Sequence, residues 1–151
     1  MRHNPYDDVK IIGGNSVVPT SFSGSTPANG NRVDTLGADN GAVYATGAAA
    51  SGTPTTGTLT VTVQESADGS TSWTNALDNT GTVIGFTLDC HAAAADNLAR
   101  IEGLNLNRKR YLRVVITPAF TGGSSPAILG FGQIILGNES PLPTDTNSSN
   151  T

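Results

Sequence analysis

The strongest constraint on this chain is a side-chain period of two, carried by Leu59 to Trp73 (LTVTVQESADGSTSW). Leu59, Val61 and Val63 fall on one side of an extended backbone, and Thr58, Thr60 and Thr62 on the other. A helix of period 3.6 would scatter both sets, so the segment is a half-buried strand. It breaks at Asp68-Gly69, a pair that tolerates positive φ, and resumes at Trp73, which predicts a hairpin or tight loop. Tyr111 to Thr117 repeats the strand signal; Pro118 is predicted to stop it, before a Gly-Gly-Ser-Ser-Pro loop.

The remaining signals are shorter. Ala42 to Thr46, Ser72 to Asn75, Val83 to Leu88, and Ile101 to Leu106 (broken at Gly103) read as further strands. Ile128 to Leu136 is a nearly continuous apolar run with Gly130 and Gly132 inside it, which predicts a central or interface strand approached closely by another backbone. Ala92 to Ala99 is the one candidate helical turn, and it is too short to be stable alone. Strands at this spacing predict an all-β fold, an antiparallel β-sandwich. Trp73, Tyr44, Tyr111, Phe86 and Phe131 are expected in its core. Phe120, in the loop after Pro118, is expected near an exposed contact surface.

Three parts are expected along the 151 residues. Residues 1–33 lack sustained periodicity and are rich in Ser, Pro, Gly and Asn, which predicts an extended N-terminal arm ordered only against a partner. Val9, Ile11, Ile12, Val17, Val18 and Phe22 are its apolar anchors. Residues 34–137 form the sandwich body, and 138–151 a polar C-terminal tail.

Charged residues make up only 13% of the chain, about half the usual share. A weakly charged polar surface suits contact with another protein, because little charge must be desolvated. The net charge of −4 argues against nucleic acid. Half of all Lys and Arg sit in Arg108, Lys109, Arg110 and Arg113. These read first as a solvated turn and second as a grip on an acidic protein partner. A single cysteine permits no internal disulfide and fits synthesis in a reducing cytoplasm. No signal peptide or transmembrane run is read, so no membrane partner is expected.

Residues able to do chemistry are sparse. Cys90 and His91 are adjacent, but neighbours on a strand point to opposite faces, so the pair reads as a small buried thiol beside an unrelated imidazole. His3 is remote. Asp68, Asp78, Asp89, Asp96 and Glu102 are scattered through turns, and no P-loop, GxSxG or HExxH motif occurs. No cofactor and no enzymatic activity are expected; calcium held by loop carboxylates stays an open alternative.

VQESADGSTSWT, followed by RYLRVVITPAFTGGSSPA and an apolar closing strand, resembles the capsid decoration (cement) proteins of tailed bacteriophages. The resemblance covers about Leu59 to Gly137. It implies a jelly-roll-like sandwich on the virion surface that bridges major capsid protein subunits and stabilises the shell. It also implies copies associating with one another, as trimers more often than dimers. Contact residues would come from the arm anchors, together with Arg108, Arg110, Arg113 and Phe120. The same phrases also look like discoidin-type sandwiches, without the cysteine pair usual there, which makes glycan binding on the virion surface the second reading.

Overall fold

The computed structural model describes residues 9–11, 17–91, 99–104 and 109–139. The described residues form strands and turns without a helix. The strands are β1 (Val9–Ile11), β2 (Val17–Ser23), β3 (Ala28–Asn29), β4 (Val33–Asp34), β5 (Ala38–Gly47) and β6 (Thr56–Ser66). They continue with β7 (Thr74–Asn75), β8 (Gly85–Asp89), β9 (Ala99–Leu104), β10 (Tyr111–Thr121) and β11 (Ala127–Glu139).

All pairings are antiparallel, and the strands form two sheets. In sheet A, β11 lies between β5 and a lane shared by β2 and β1, with β9 beyond β5. In sheet B, β10 lies between β6 and a lane shared by β3 and β4, while β7 and β8 share the lane beyond β6. Each sheet is therefore four lanes wide. Numbered along the chain, the lanes run 1-8-3-6 in sheet A and 2-7-4-5 in sheet B.

The period of two decides what lies between the layers. From sheet B, Leu59, Val61 and Val63 of β6 and Leu112, Val114 and Ile116 of β10 are fully buried. They meet Val43 and Ala45 of β5 and Ile128, Ile134 and Leu136 of β11. Gly47 and Gly130 are register partners on the inner side of sheet A. A methyl group added at Gly47 would sit 2.7 Å from Cys90 Sγ and 2.9 Å from Leu59 Cδ1. The bare backbone at this pair is thus the socket that receives Leu59 from the other sheet. This is the close approach that the apolar run with its internal glycines predicts.

Several sequence expectations are corrected. Residues 17–33 are body rather than arm: β2 joins β11, β3 and β4 join β10, and Val17, Phe22 and Val33 lie in the core. A segment poor in apolar residues needs no core of its own when a sheet edge supplies its hydrogen bonds and only its inward positions must be apolar. Val17 and Phe22 are an odd number of residues apart yet both face inward, because a bulge opposite Gly130 to Gly132 inserts one residue and resets the parity. Pro118 does not stop β10, which runs to Thr121. Beyond Ile116 the described partner of β10 is β6 alone, so the missing N–H of Pro118 has an open side to face. Gly103 lies within β9 opposite Ala42 and does not break it. The helical turn expected from Ala92 falls almost wholly outside the described residues, and Ala99 opens β9.

Candidate functional site: an uncharged sheet face

The two outer faces of the sandwich differ in character. On β11 the inward series Ile128, Gly130, Gly132, Ile134 and Leu136 alternates with an outward series of Leu129, Phe131, Gln133, Ile135 and Gly137. Register places Ser21 beside Leu129, Thr46 beside Phe131, Tyr44 beside Gln133 and Ala42 beside Ile135. The Tyr44 and Phe131 rings touch in a tilted arrangement, centroids 5.7 Å apart and planes at 57°. Leu129 is 58% exposed and adjoins Phe131 and Pro19, so it is part of an apolar patch rather than an isolated exposed side chain. Leu129, Phe131, Pro19, Thr46 and Ala48 wall a shallow depression of about 400 Å³ floored by Gly47 and Gly130. None of these side chains carries a charge at neutral pH.

The outer face of sheet B is polar and internally bonded. Thr58, Thr60, Thr62 and Gln64 of β6 face out, with Thr60 and Thr87 hydroxyls 3.3 Å apart. Arg113 donates to Gln64 Oε1 through Nε (2.9 Å) and Nη2 (2.7 Å), and Gln64 donates to Asn75 (3.2 Å). The Arg113 guanidinium lies 4.4 Å above the Trp73 ring, where burial pulls its pKa below the usual arginine range. Arg110 forks onto Asp34 at 2.9 and 2.7 Å, and that bond chiefly lowers the Asp34 pKa. Arg110 and Arg32 also flank Tyr111, at 5.1 and 5.5 Å from the ring centroid. Lys109 pairs with Glu65 at 3.7 Å and donates to Thr74 at 2.9 Å. The described part of the basic cluster thus spends its donors within the molecule.

The sequence-predicted contact residues do not converge. Val17 and Phe22 are in the core, Val18 lies in β2, and Val9 and Ile11 pair in register with Gly137 and Ile135. Ile12 and Arg108 lie outside the described residues. Arg110 and Arg113 sit at the start of β10, whereas Phe120 sits at its far end, about 30 Å away at the rise of an extended strand. Phe120 packs partly against the core and lines a second depression with Gly24, Ala119, Gly122 and Pro126. Ile128 to Leu136 reads in sequence as a central or interface strand, with none of its outward residues named as contacts. Their signal was present in the nearly continuous apolar run, since a strand apolar on both faces has something to cover on each.

Cys90, Asp68, Asp78 and Asp89 are engaged by the surrounding structure, while His3, Asp96 and the Glu102 side chain lie outside the described residues. Cys90 is buried, and its thiol is pushed up to about 11 by burial and then by Asp89. The backbone N–H of His91 donates to Asp89 at 3.0 Å. Asp68 accepts from the Ser70 and Thr71 amides at 2.9 Å each and from the Thr71 hydroxyl at 2.6 Å, which holds its carboxyl far below the usual range. Asp78 caps its own turn in the same way, through Thr80 and Thr82. Among the described residues no three His, Cys, Asp or Glu side chains gather where a metal ion would need them.

No protein-family model matches the chain, and no curated protein matches it in sequence. Among solved structures it is similar to the PBSX exported protein XepA, at 13% identity and a TM-score of 0.49 over 100% of this chain. The chain spans 44% of that protein's length. It is also similar to a chain of desmodium yellow mottle tymovirus, at 16% identity and a TM-score of 0.34, covering 95% of this chain and 94% of that one. A chain of turnip yellow mosaic virus follows, at 14% identity and a TM-score of 0.33, covering 85% of each.

Proposed function

We propose that the chain is a virion structural protein that decorates and stabilises the outer surface of a tailed-phage capsid by bridging major capsid protein subunits. The observation that carries this reading is the outer face of sheet A. Among the described residues this face is apolar and uncharged, and the acids and bases are engaged mostly in turns and ion pairs, which suits association with protein rather than turnover. The lane order adds support. Lanes 1 with 8, 2 with 7, 3 with 6 and 4 with 5 are the four antiparallel pairs of one long ribbon rolled into two layers. That connectivity supports the jelly-roll reading, an architecture used by viral shells and by lectins.

Between those two uses, the aromatics favour the shell. On sheet B neither the Trp73 nor the Tyr111 ring is free for a sugar to stack on, since Trp73 lies under Arg113 and both Arg110 and Arg32 lie against Tyr111; the outward rings, Tyr44 and Phe131, belong to the uncharged face that the shell reading uses. With Val17 to Asp34 built into the body, the binding energy falls to the surfaces of the sandwich rather than to a 33-residue arm. Sedimentation of the full chain with bare expanded capsids tests the function. The chain is expected to pellet with the shells, to saturate at a fixed number of copies, and to leave the supernatant of glycan-coated beads undepleted. Retention on glycan, with no pelleting on capsids, would replace this reading with the lectin one.

A further inference from the structure

We propose that the outer face of sheet A is covered by a second copy of this chain, face to face across a two-fold axis near Gln133. The inference rests on reading this face as an attachment surface, and it names the first partner.

Side chains close to a two-fold axis meet their own copies, so a charge there faces a like charge. Each copy carries a net charge of −4, so two copies repel except where a face is free of charge. The described outward side chains of sheet A meet that condition; sheet B, with Asp89 and Arg113 on its outer face, does not. The area bounds the strength of such a pair. Four lanes about 4.8 Å apart, and a row from Leu129 to Gly137 rising about 3.4 Å per residue, give a plan area of roughly 500 Å². This is below the roughly 800 Å² per partner of an ordinary stable interface, which places the pairing in the range of weak, concentration-dependent association.

The row is also self-complementary. A two-fold axis at Gln133, the middle of the five outward positions, sets Leu129 against the bare backbone of the other copy's Gly137. It sets Phe131 against the other copy's Ile135. The Gln133 amide, with two donors and an acceptor, meets its own symmetry mate and can be satisfied by it. Two sheets packed this way lie about 10 Å apart with strands within roughly 30° of parallel. A two-fold pair differs from the trimer that the family resemblance implies. With this face covered, contact with the shell falls to the remaining surfaces of the pair.

Sedimentation velocity of the isolated full chain, from sub-micromolar to tens of micromolar, tests the pairing. Wild type is expected to move from chain mass to twice chain mass over this range. Phe131→Asp, Ile135→Lys and Leu129→Asp are each expected to remain at chain mass with an unchanged far-ultraviolet dichroism spectrum. Leu129 is already exposed, so that variant keeps the test sound if either of the others misfolds. Mixing Phe131→Asp copies with Ile135→Lys copies should restore the double mass, because the two new charges then face each other across the axis. A wild type that stays at chain mass throughout, a triple mass, or a double mass persisting in Leu129→Asp would each overturn the proposal. The readout involves no capsid. A monomer that still decorates shells would refute the pairing alone, and a pair that ignores shells would refute the decoration alone.

Discussion

Replacing Phe22 with alanine separates a core residue from an arm anchor. Phe22 is 4% exposed and stands opposite Ile128, with both side chains turned between the sheets. Removing the ring forfeits a transfer term of about 1.5–3 kcal/mol, and the cavity left behind brings Phe→Ala costs to about 3–5 kcal/mol. β2 lies at a sheet edge, where neighbours relax more readily, which places the expected loss near 3 kcal/mol. Against a total stability of roughly 5–15 kcal/mol this is a large fraction. For a domain of this size it corresponds to a fall in melting temperature of about 6–12 °C. Urea and thermal unfolding, followed by tryptophan fluorescence and dichroism, read it directly. Ser21→Ala, one residue away on the outward side, is expected to change stability by less than about 0.5 kcal/mol. If Phe22→Ala melts within a degree or two of wild type, residues 17–23 are not part of the core and the arm would extend through residue 33, as the sequence alone puts it.

Three further outcomes follow from the packing and the turns. Gly47→Ala should cost about 1–3 kcal/mol through overpacking against Cys90 and Leu59, and Cys90→Ala in the same chain should recover part of that loss, as a double-mutant cycle would show. Cys90 should resist alkylation in the native protein at neutral pH and react once urea exposes it, while Cys90→Ala alone should cost about 1–2 kcal/mol; rapid labelling of folded protein would contradict its burial. The Asp68 pKa is depressed on folding from 3.8, so its contribution is fully present above that pH and is lost as pH falls below it. The melting temperature of Asp68→Ala should therefore fall less steeply than that of wild type between neutral pH and pH 2, and parallel profiles would show that the turn bonds do not hold the ionised form.

The sandwich was legible because its longest strands state their period plainly. Thr58 to Val63 and Tyr111 to Thr117 alternate, and both lie in the paired centre of sheet B. What was not legible depends on partners distant in the chain. β2 and β4 have too few apolar residues to announce themselves, yet Phe22 and Val33 fill positions that only the finished sheets create. Arg110 and Arg113 look like free cations until Asp34, Gln64 and Trp73 arrive from elsewhere in the chain. Tyr44 and Phe131 read as core because aromatic residues usually are; their register partners place them on the outside instead. The outer face of sheet A was half visible, since the run from Ile128 to Leu136 signals two faces to cover without saying which lies inside.

Electron cryomicroscopy of expanded tailed-phage capsids, imaged with and without the added full chain, tests the central claim most directly. The account predicts new sandwich-sized density on the outer surface at symmetry-related positions, each body contacting more than one major capsid protein subunit. The decorated shells should also withstand higher temperature before releasing DNA. Bare shells identical in both images, at chain concentrations well above saturation of any ordinary interface, would contradict it.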